Sequence, residues 1–401
     1  MKKILSCLLV LVLLLTACGE KVPAAPAEMV VDESFVIVCA EDPVIQQAAI
    51  CLQSNLKHAH GLELELATTA PAEGKTITVS VDSGLEEGQY RTRLTEGGIV
   101  IEAQNPQVMT LAMRSICANW PAGKLTADSC SILSGYYPPA EAPFLVLTQN
   151  IRYADDKGGN TVAQRAPRFR QLIEQYQPDI MCMQEDNFLW VPILEIFFGD
   201  RYGFYGMYGD GPDVRGGKGG NKQLIIYRSD RYELLEEGGF WLSETPEKAS
   251  KLITSKGTRT CTWVLLKDRL TEKTLFVCNT HLDTMSDEAR MAQLKILYQQ
   301  VGSYMEKYPT VFCGDFNARP DSPVYAEVTK TLFDPHETAS VKADDYQYTY
   351  TDYGTTTDPR RLDYLFYNQF LTAQSYRIMT DRYDGYISDH FGAMTEYSFA
   401  K

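Results

Sequence analysis

The chain has 401 residues, 44% of them hydrophobic and 22% charged, which excludes a disordered or fibrous protein and leaves room for two globular domains. Its formal net charge is -14, and two of its cations, Lys2 and Lys3, lie at its extreme N-terminus. So acidic a chain repels long polyphosphate backbones, which makes long duplex DNA an unexpected partner while leaving nucleotides and phosphorylated small molecules open.

Residues 1–18, MKKILSCLLVLVLLLTAC, join two lysines to an apolar run and a small-residue exit, the pattern of a secretory signal peptide. Leu15-Thr16-Ala17-Cys18 resembles the lipobox of bacterial lipoproteins, which implies a lipidated Cys18 and attachment to the extracellular face of a bacterial membrane. The Ala/Pro/Glu-containing residues 19–33 then read as a flexible tether.

Residues 34–135 form a first unit in the order β-α-β-β-β-α, a small α+β domain. Phe35–Val38, Leu62–Leu66 and Thr76–Val81 have strand character, and Tyr90–Ala103 reads as a hairpin turning at Glu96-Gly97-Gly98. Val44, Ala48, Cys51, Leu52 and Leu56 mark one helical face; Val108, Leu111, Ala112 and Ile116 mark another. No run of titratable residues signals a site here. His58 and His60 precede Gly61 at a helix end, where imidazoles suit the C-terminus of the dipole. The unit resembles the non-catalytic α/β domain that precedes many secreted glycosidase barrels, so glycan contact is one role for it. Gly135–Pro143, with three prolines, reads as a linker.

From Phe144 onward, strands at Phe144–Thr148, Ile180–Met183, Leu224–Tyr227, Thr262–Leu266, Thr274–Cys278, Thr310–Cys313 and Leu362–Tyr367 mix with a few longer helices. Phe169, Leu172, Ile173 and Tyr176 form one amphipathic face; Leu294, Leu297, Tyr298, Val301 and Met305 form another. Many strands with few helices point to two packed sheets flanked by helices. Gly209–Gly220 is glycine-rich but lacks the lysine and strand-to-helix setting of a P-loop. Cys182, Cys278 and Cys313 read as small buried hydrophobes, while Cys39 with Cys51, or Cys117 with Cys130, are candidate disulfides.

Six polar-ended segments carry the chemistry: Gln149-Asn150-Ile151-Arg152, Gln184-Glu185, Asn279-Thr280-His281-Leu282-Asp283, Gly314-Asp315-Phe316-Asn317, Arg361-Leu362-Asp363-Tyr364 and Ser388-Asp389-His390. Most follow an apolar run, so acids, amides and imidazoles are delivered to the ends of buried strands. A hard divalent cation and a phosphate ester require such a rim. Asp315 and Asn317 alternate across Phe316, which places both on one side of an extended segment.

In these motifs and their order, Phe144–Lys401 resembles the endonuclease/exonuclease/phosphatase superfamily. The resemblance implies a four-layered α/β sandwich as the catalytic domain, residues 144–401, preceded by the small α+β domain. It more closely resembles secreted bacterial members, which share text such as GGFWLSETP, GDFNARPDSPVY and DRYDGYISDH. It implies Mg²⁺, with Mn²⁺ as the alternative, held by Glu185, by the amide carbonyl of Asn150 and by Asp389 at a second or outer position. It pairs His390 with Asp363, and sets His281 beside the scissile phosphate. Asp315 is either the base that activates water, with Asn317 as its amide partner, or a metal ligand. Arg152 and Arg259 are candidate phosphate contacts, since a guanidinium matches phosphate bidentately. His336, outside any motif, reads as a surface residue. Thr284 stands where similar members have His, and Asn221-Lys222-Gln223 where they have an acidic-aromatic pair.

The sequence therefore points to an extracellular, lipid-anchored Mg²⁺-dependent phosphodiesterase or phosphomonoesterase that cleaves a P–O bond by in-line attack of water. The alternatives are a carbohydrate- or surface-binding lipoprotein whose catalytic domain is secondary, and a secreted nuclease.

Overall fold

The computed structural model describes residues 25–211, 221–343 and 346–401. The expected leader, Cys18 and most of the glycine-rich stretch lie outside these residues. The first unit is a six-stranded sheet in the order Glu65–Ala67, Phe35–Cys39, Lys75–Val81, Gly98–Ala103, Gln89–Thr95, Gly135–Tyr136. Helices Pro43–His60 and Pro106–Asn119 cover it, the first capped by the Asp42 side chain and ended by Gly61 at φ +70. Ile37, Ile77, Val79, Ile99 and Ile101 are fully buried against Leu52, Met113 and Ile116.

Two boundaries differ from expectation. Glu28–Val30, inside the expected tether, pairs with Lys124–Thr126, because Met29 and Val31 bury their side chains in the first unit's core. Gly135–Tyr136, inside the expected linker, extends the sheet by pairing with Gln89–Tyr90. All eight cysteines among the described residues are free thiols, so neither candidate disulfide is formed.

The second unit holds a seven-stranded and a five-stranded sheet. The first runs Tyr202–Tyr208, Lys222–Arg228, Ile180–Asp186, Phe144–Asn150, Gly392–Phe399, Leu371–Met379, Val341–Lys342; the second runs Tyr232–Trp241, Thr260–Asp268, Thr274–His281, Thr310–Asp315, Asp363–Tyr367. Alternate residues build three apolar layers, as strand pleating requires. Val146, Ile180, Cys182, Val264, Val277, Val311 and Cys313 fill the space between the sheets. Leu147, Met181 and Leu224 turn outward onto Phe169, Leu172 and Ile173 of helix Val162–Tyr176. Phe276, Cys278 and Phe312 meet Leu294, Leu297 and Val301 of helix Asp287–Lys307. This is a four-layered sandwich, helix–sheet–sheet–helix. Among the described residues no helix is long and apolar enough to cross a membrane.

The two units are joined by buried polar contacts. Arg114 of the first reaches Asp179 at 2.8 Å, and Arg228 and Arg231 of the second converge on the same carboxylate at 3.3 Å. Asn55 donates to the carbonyl of Gln175.

Candidate active site

The five-stranded sheet lines up three motif residues by register alone. His281 stands opposite Asp315, and Asp315 opposite Asp363, so an imidazole and two carboxylates occupy one row across three strands. Gly314 permits this crowding: it sits at φ +149, where a Cβ would lie 2.0 Å from the Thr280 carbonyl oxygen.

The facing sheet supplies Asn150 and Glu185. Gln184 pairs with Asn150, and the register then shifts at a bulge, where Glu185 takes φ +66. A non-glycine residue in this region carries strain of about 1–3 kcal/mol, and bulges re-aim side chains at strand ends. Here the bulge turns Glu185 toward the cleft: its Oε1 meets Asn150 Nδ2 at 3.3 Å, and its Oε2 accepts from Tyr153 N at 3.1 Å. Asn279 pins the two sheets together at this end, since its amide donates to the carbonyls of Met183 and Leu224 and accepts from Gln184.

Asp315 Oδ2 accepts from Asn150 Nδ2 at 2.9 Å and lies 3.5 Å from His281 Nε2 and 3.9 Å from His390 Nε2. His390 Nδ1 meets Asp363 Oδ2 at 2.8 Å. Burial opposes charge on His390, yet the carboxylates of Asp363, Asp315 and Asp389 overcome it and hold its pKa up to about 10. The reverse holds at His281, whose pKa burial pulls well below the ordinary value, with Arg259 and His390 adding repulsion. Burial and the facing Asp363 push Asp315 up to about 7.

Asp315, Asp363 and His390 present ligand-type atoms within 4.8 Å of one another. Asp363 Oδ1 is buried without a hydrogen-bond partner. Two mutually repelling buried carboxylates, one with an unpartnered oxygen, and Glu185 across the Asn150 amide from Asp315, make an acid-rich site that a hard divalent cation stabilises. The residues fit the expected metal.

Several expected roles are revised by the geometry. Asn150 turns its amide nitrogen, not its carbonyl oxygen, to the carboxylates; its Oδ1 accepts from Arg152 N instead. Two acids need a donor between them, so Asn150 bridges them. Asn317 does not continue an extended segment beyond Asp315. It adopts φ +47, its N–H donates to Asp315 Oδ1, and its amide anchors the Leu282 carbonyl. Arg152 is committed to Asp156 at 2.9 Å and faces Asp389 at 3.7 Å, so it is an ion-pair partner that also lines the cleft. Arg259 faces Asp283 at 3.5 Å and lines the cleft. Asp283 braces the neighbouring loop by accepting from Lys256, Gly257 and Met285. His336 lies outside the cleft lining and is held between Glu337 and Gln347 rather than free at the surface.

The cleft encloses about 660 Å³ and is lined by Glu185, His281, Asp315, Asn317, Asp389 and His390, among others. The sequence reading missed two kinds of residue here. Tyr350, Arg319 and Arg360 from loops, and Arg290 from the first turn of helix Asp287–Lys307, complete the wall from outside the six segments. Arg165 lies beneath it, fully buried. Its guanidinium donates to the carbonyls of Ile151, Arg152, Ala154, Asn160 and Ile387, and it stacks on Trp190 at 5.2 Å. It ties the loop after Asn150 to the loop before Asp389.

Residues 147–390 match the family model described as Endonuclease/Exonuclease/phosphatase family. A curated relative, nocturnin of Rattus norvegicus, is 24% identical over 251 residues, 56% of this chain and 56% of that protein. The chain thus spans about half the length of the curated relatives it matches. Among solved structures, an endonuclease/exonuclease/phosphatase from Bacteroides vulgatus superposes with a TM-score of 0.60 at 26% identity, over 64% of this chain and 99% of that one. A mannosyl-6-phosphatase from Bacteroides thetaiotaomicron gives 0.58 at 26% identity, over 64% and 100%.

Proposed function

This chain belongs to the endonuclease/exonuclease/phosphatase family, and from that premise we propose that it is a metal-dependent phosphoric ester hydrolase acting on small phosphate esters. The observation that carries the reading is convergence: six motifs spread over some 240 residues place Asn150, Glu185, His281, Asp315, Asp363 and His390 at one end of the two sheets.

Glu185 would hold a divalent cation, Mg²⁺ by the oxygen-rich rim of the cleft, with Asp389 lining the same cleft. Such an ion supplies neutralisation of phosphoryl charge. His390, charged at neutral pH, donates to a phosphoryl oxygen from Nε2 while Asp363 fixes its ring. Asp315 has the basicity suited to taking a proton from water near neutrality. Asn150 and Asn317 hold that carboxylate in place. His281, uncharged, offers an imidazole beside it.

Small esters are favoured over nucleic acid by the formal charge of -14. The mannosyl-6-phosphatase likeness favours phosphorylated sugars, and hence phosphomonoesters, among them. The leader text of residues 1–18 supports export and lipid attachment at Cys18, on the extracellular face of a bacterial membrane.

The test is a panel assayed with metal-stripped protein, then with Mg²⁺ or Mn²⁺. It comprises p-nitrophenyl phosphate, bis-p-nitrophenyl phosphate, mannose 6-phosphate, a phospholipid and a DNA duplex. Metal-restored turnover of the sugar ester above the duplex is expected; turnover of the duplex alone would overturn the assignment.

A further inference from the structure

We propose that Arg319 and Arg360 form a second anion subsite at the cleft mouth, and that the substrate is a small phosphate ester bearing another anionic group, a phosphate or a carboxylate, about one sugar ring from the scissile phosphorus. The inference rests on the phosphoesterase reading above and names the substrate class for that site.

Charge comes first. Five arginines line the cleft: Arg152, Arg259, Arg290, Arg319 and Arg360. The first three each have a carboxylate of their own nearby, Asp156, Asp283 and Asp287. Arg319 and Arg360 share one, Asp358, at 2.5 and 3.2 Å. Asp321 lines the same wall but makes no ion pair with either. Two guanidiniums therefore share one ion-pair partner here, whereas each of the other three cleft arginines has its own.

Position supplies the second step. Arg319 follows Asn317 by two residues, and Arg360 precedes Asp363 by three. The Arg360 guanidinium stacks on the Tyr350 ring at 5.5 Å, and that ring meets the His390 imidazole at 5.1 Å. Backbone bridges from Tyr350 to both Arg360 and His390 fix the sequence of three. One aromatic ring therefore separates the Arg360 guanidinium from the imidazole that faces phosphate, and a sugar ring lying along Tyr350 spans that gap.

Exposure supplies the third. The side chains of Arg319, Arg360 and Asp358 are 47%, 40% and 53% exposed. Exposed ion pairs of this kind are weak, so the guanidiniums are free to turn from Asp358 to an arriving anion. A guanidinium fork suits phosphate and carboxylate alike.

The experiment compares kcat/KM for glucose 1,6-bisphosphate, 6-phosphogluconate and glucose 6-phosphate by inorganic phosphate release, using the full chain with Mg²⁺. The wild type is expected to prefer the two bis-anionic esters at least tenfold. Arg319→Gln/Arg360→Gln should abolish that preference, and Asp358→Asn, which frees both cations, should enlarge it. Preference for the bisphosphate alone also supports the subsite and fixes the second group as phosphate. Equal kcat/KM across the three esters in the wild type, or a preference that survives the double substitution, overturns it. If glucose 6-phosphate is cleaved as well as the two bis-anionic esters, only the subsite fails; if no ester is cleaved, the phosphoesterase reading fails with it.

Discussion

His390 Nδ1 and Asp363 Oδ2 lie 2.8 Å apart in a fully enclosed position. The contact ties a loop to the end strand of the five-stranded sheet and decides which ring nitrogen faces the cleft. Replacing Asp363 with Asn keeps the shape but removes the charge that holds His390 protonated. We expect kcat toward a generic phosphate ester to fall by about 10²–10⁴, the usual worth of a positioned acid or base. Steady-state kinetics at neutral pH, with a thermal melt to confirm folding, checks this; a loss below threefold would remove His390 from the chemistry.

Arg165 gives a second prediction. Among the described residues it has no carboxylate partner within ion-pair distance, and its donors are satisfied by backbone carbonyls of the two loops that flank the cleft. Arg165→Met leaves those buried carbonyls unpaired, which costs about 1–3 kcal/mol for each group left unsatisfied. Urea denaturation should show at least about 3 kcal/mol lost. A variant as stable as the wild type would mean that the loops hold themselves.

Asp179 links stability to pH. Burial opposes its charge, but Arg114, Arg231 and Arg228 overcome that and hold the carboxyl below its ordinary value. A depressed carboxyl means that the folded state binds fewer protons than the unfolded chain in acid. Its contribution is therefore complete above about pH 4 and is lost as the pH falls below that. Asp179→Asn should cost about 3–5 kcal/mol at pH 7, because three guanidiniums keep their burial and lose their partner. The gap between wild type and variant should narrow as the pH falls from 5 to 3; denaturant midpoints measured across that range would show a constant gap if the account is wrong.

What the sequence disclosed of this architecture follows from how each part is built. The strands that carry motifs were legible because they are buried on both faces, and their apolar runs end abruptly in acids, amides and imidazoles, as in Thr274–His281 and Thr310–Asp315. Tyr202–Tyr208 was not, since its glycines and half-buried tyrosines look like loop, and Tyr232–Trp241 was obscured by its exposed acids. Asn317 defeated the alternation argument because one left-handed residue ends the period of two on which it depends. Arg165 sits on an amphipathic helix where sequence shows only another cation; its role depends on the loop before it folding back onto it and on the Ile387 carbonyl, 222 residues away. The cleft-mouth arginines were hidden for a similar reason, as folding brings Arg319 to Asp358, 39 residues on, and Tyr350 beneath Arg360.

The central claim is that Glu185 and the acids facing it bind a cation needed for cleaving a phosphate ester. The most direct test is Mg²⁺-dependent hydrolysis of p-nitrophenyl phosphate by the full chain and by its Glu185→Gln variant. The account predicts that chelation silences the wild type, that Mg²⁺ restores it, and that the variant is at least about a hundredfold slower at every Mg²⁺ concentration. Equal rates for the two proteins, or wild-type hydrolysis that persists after the metal is stripped, would contradict it.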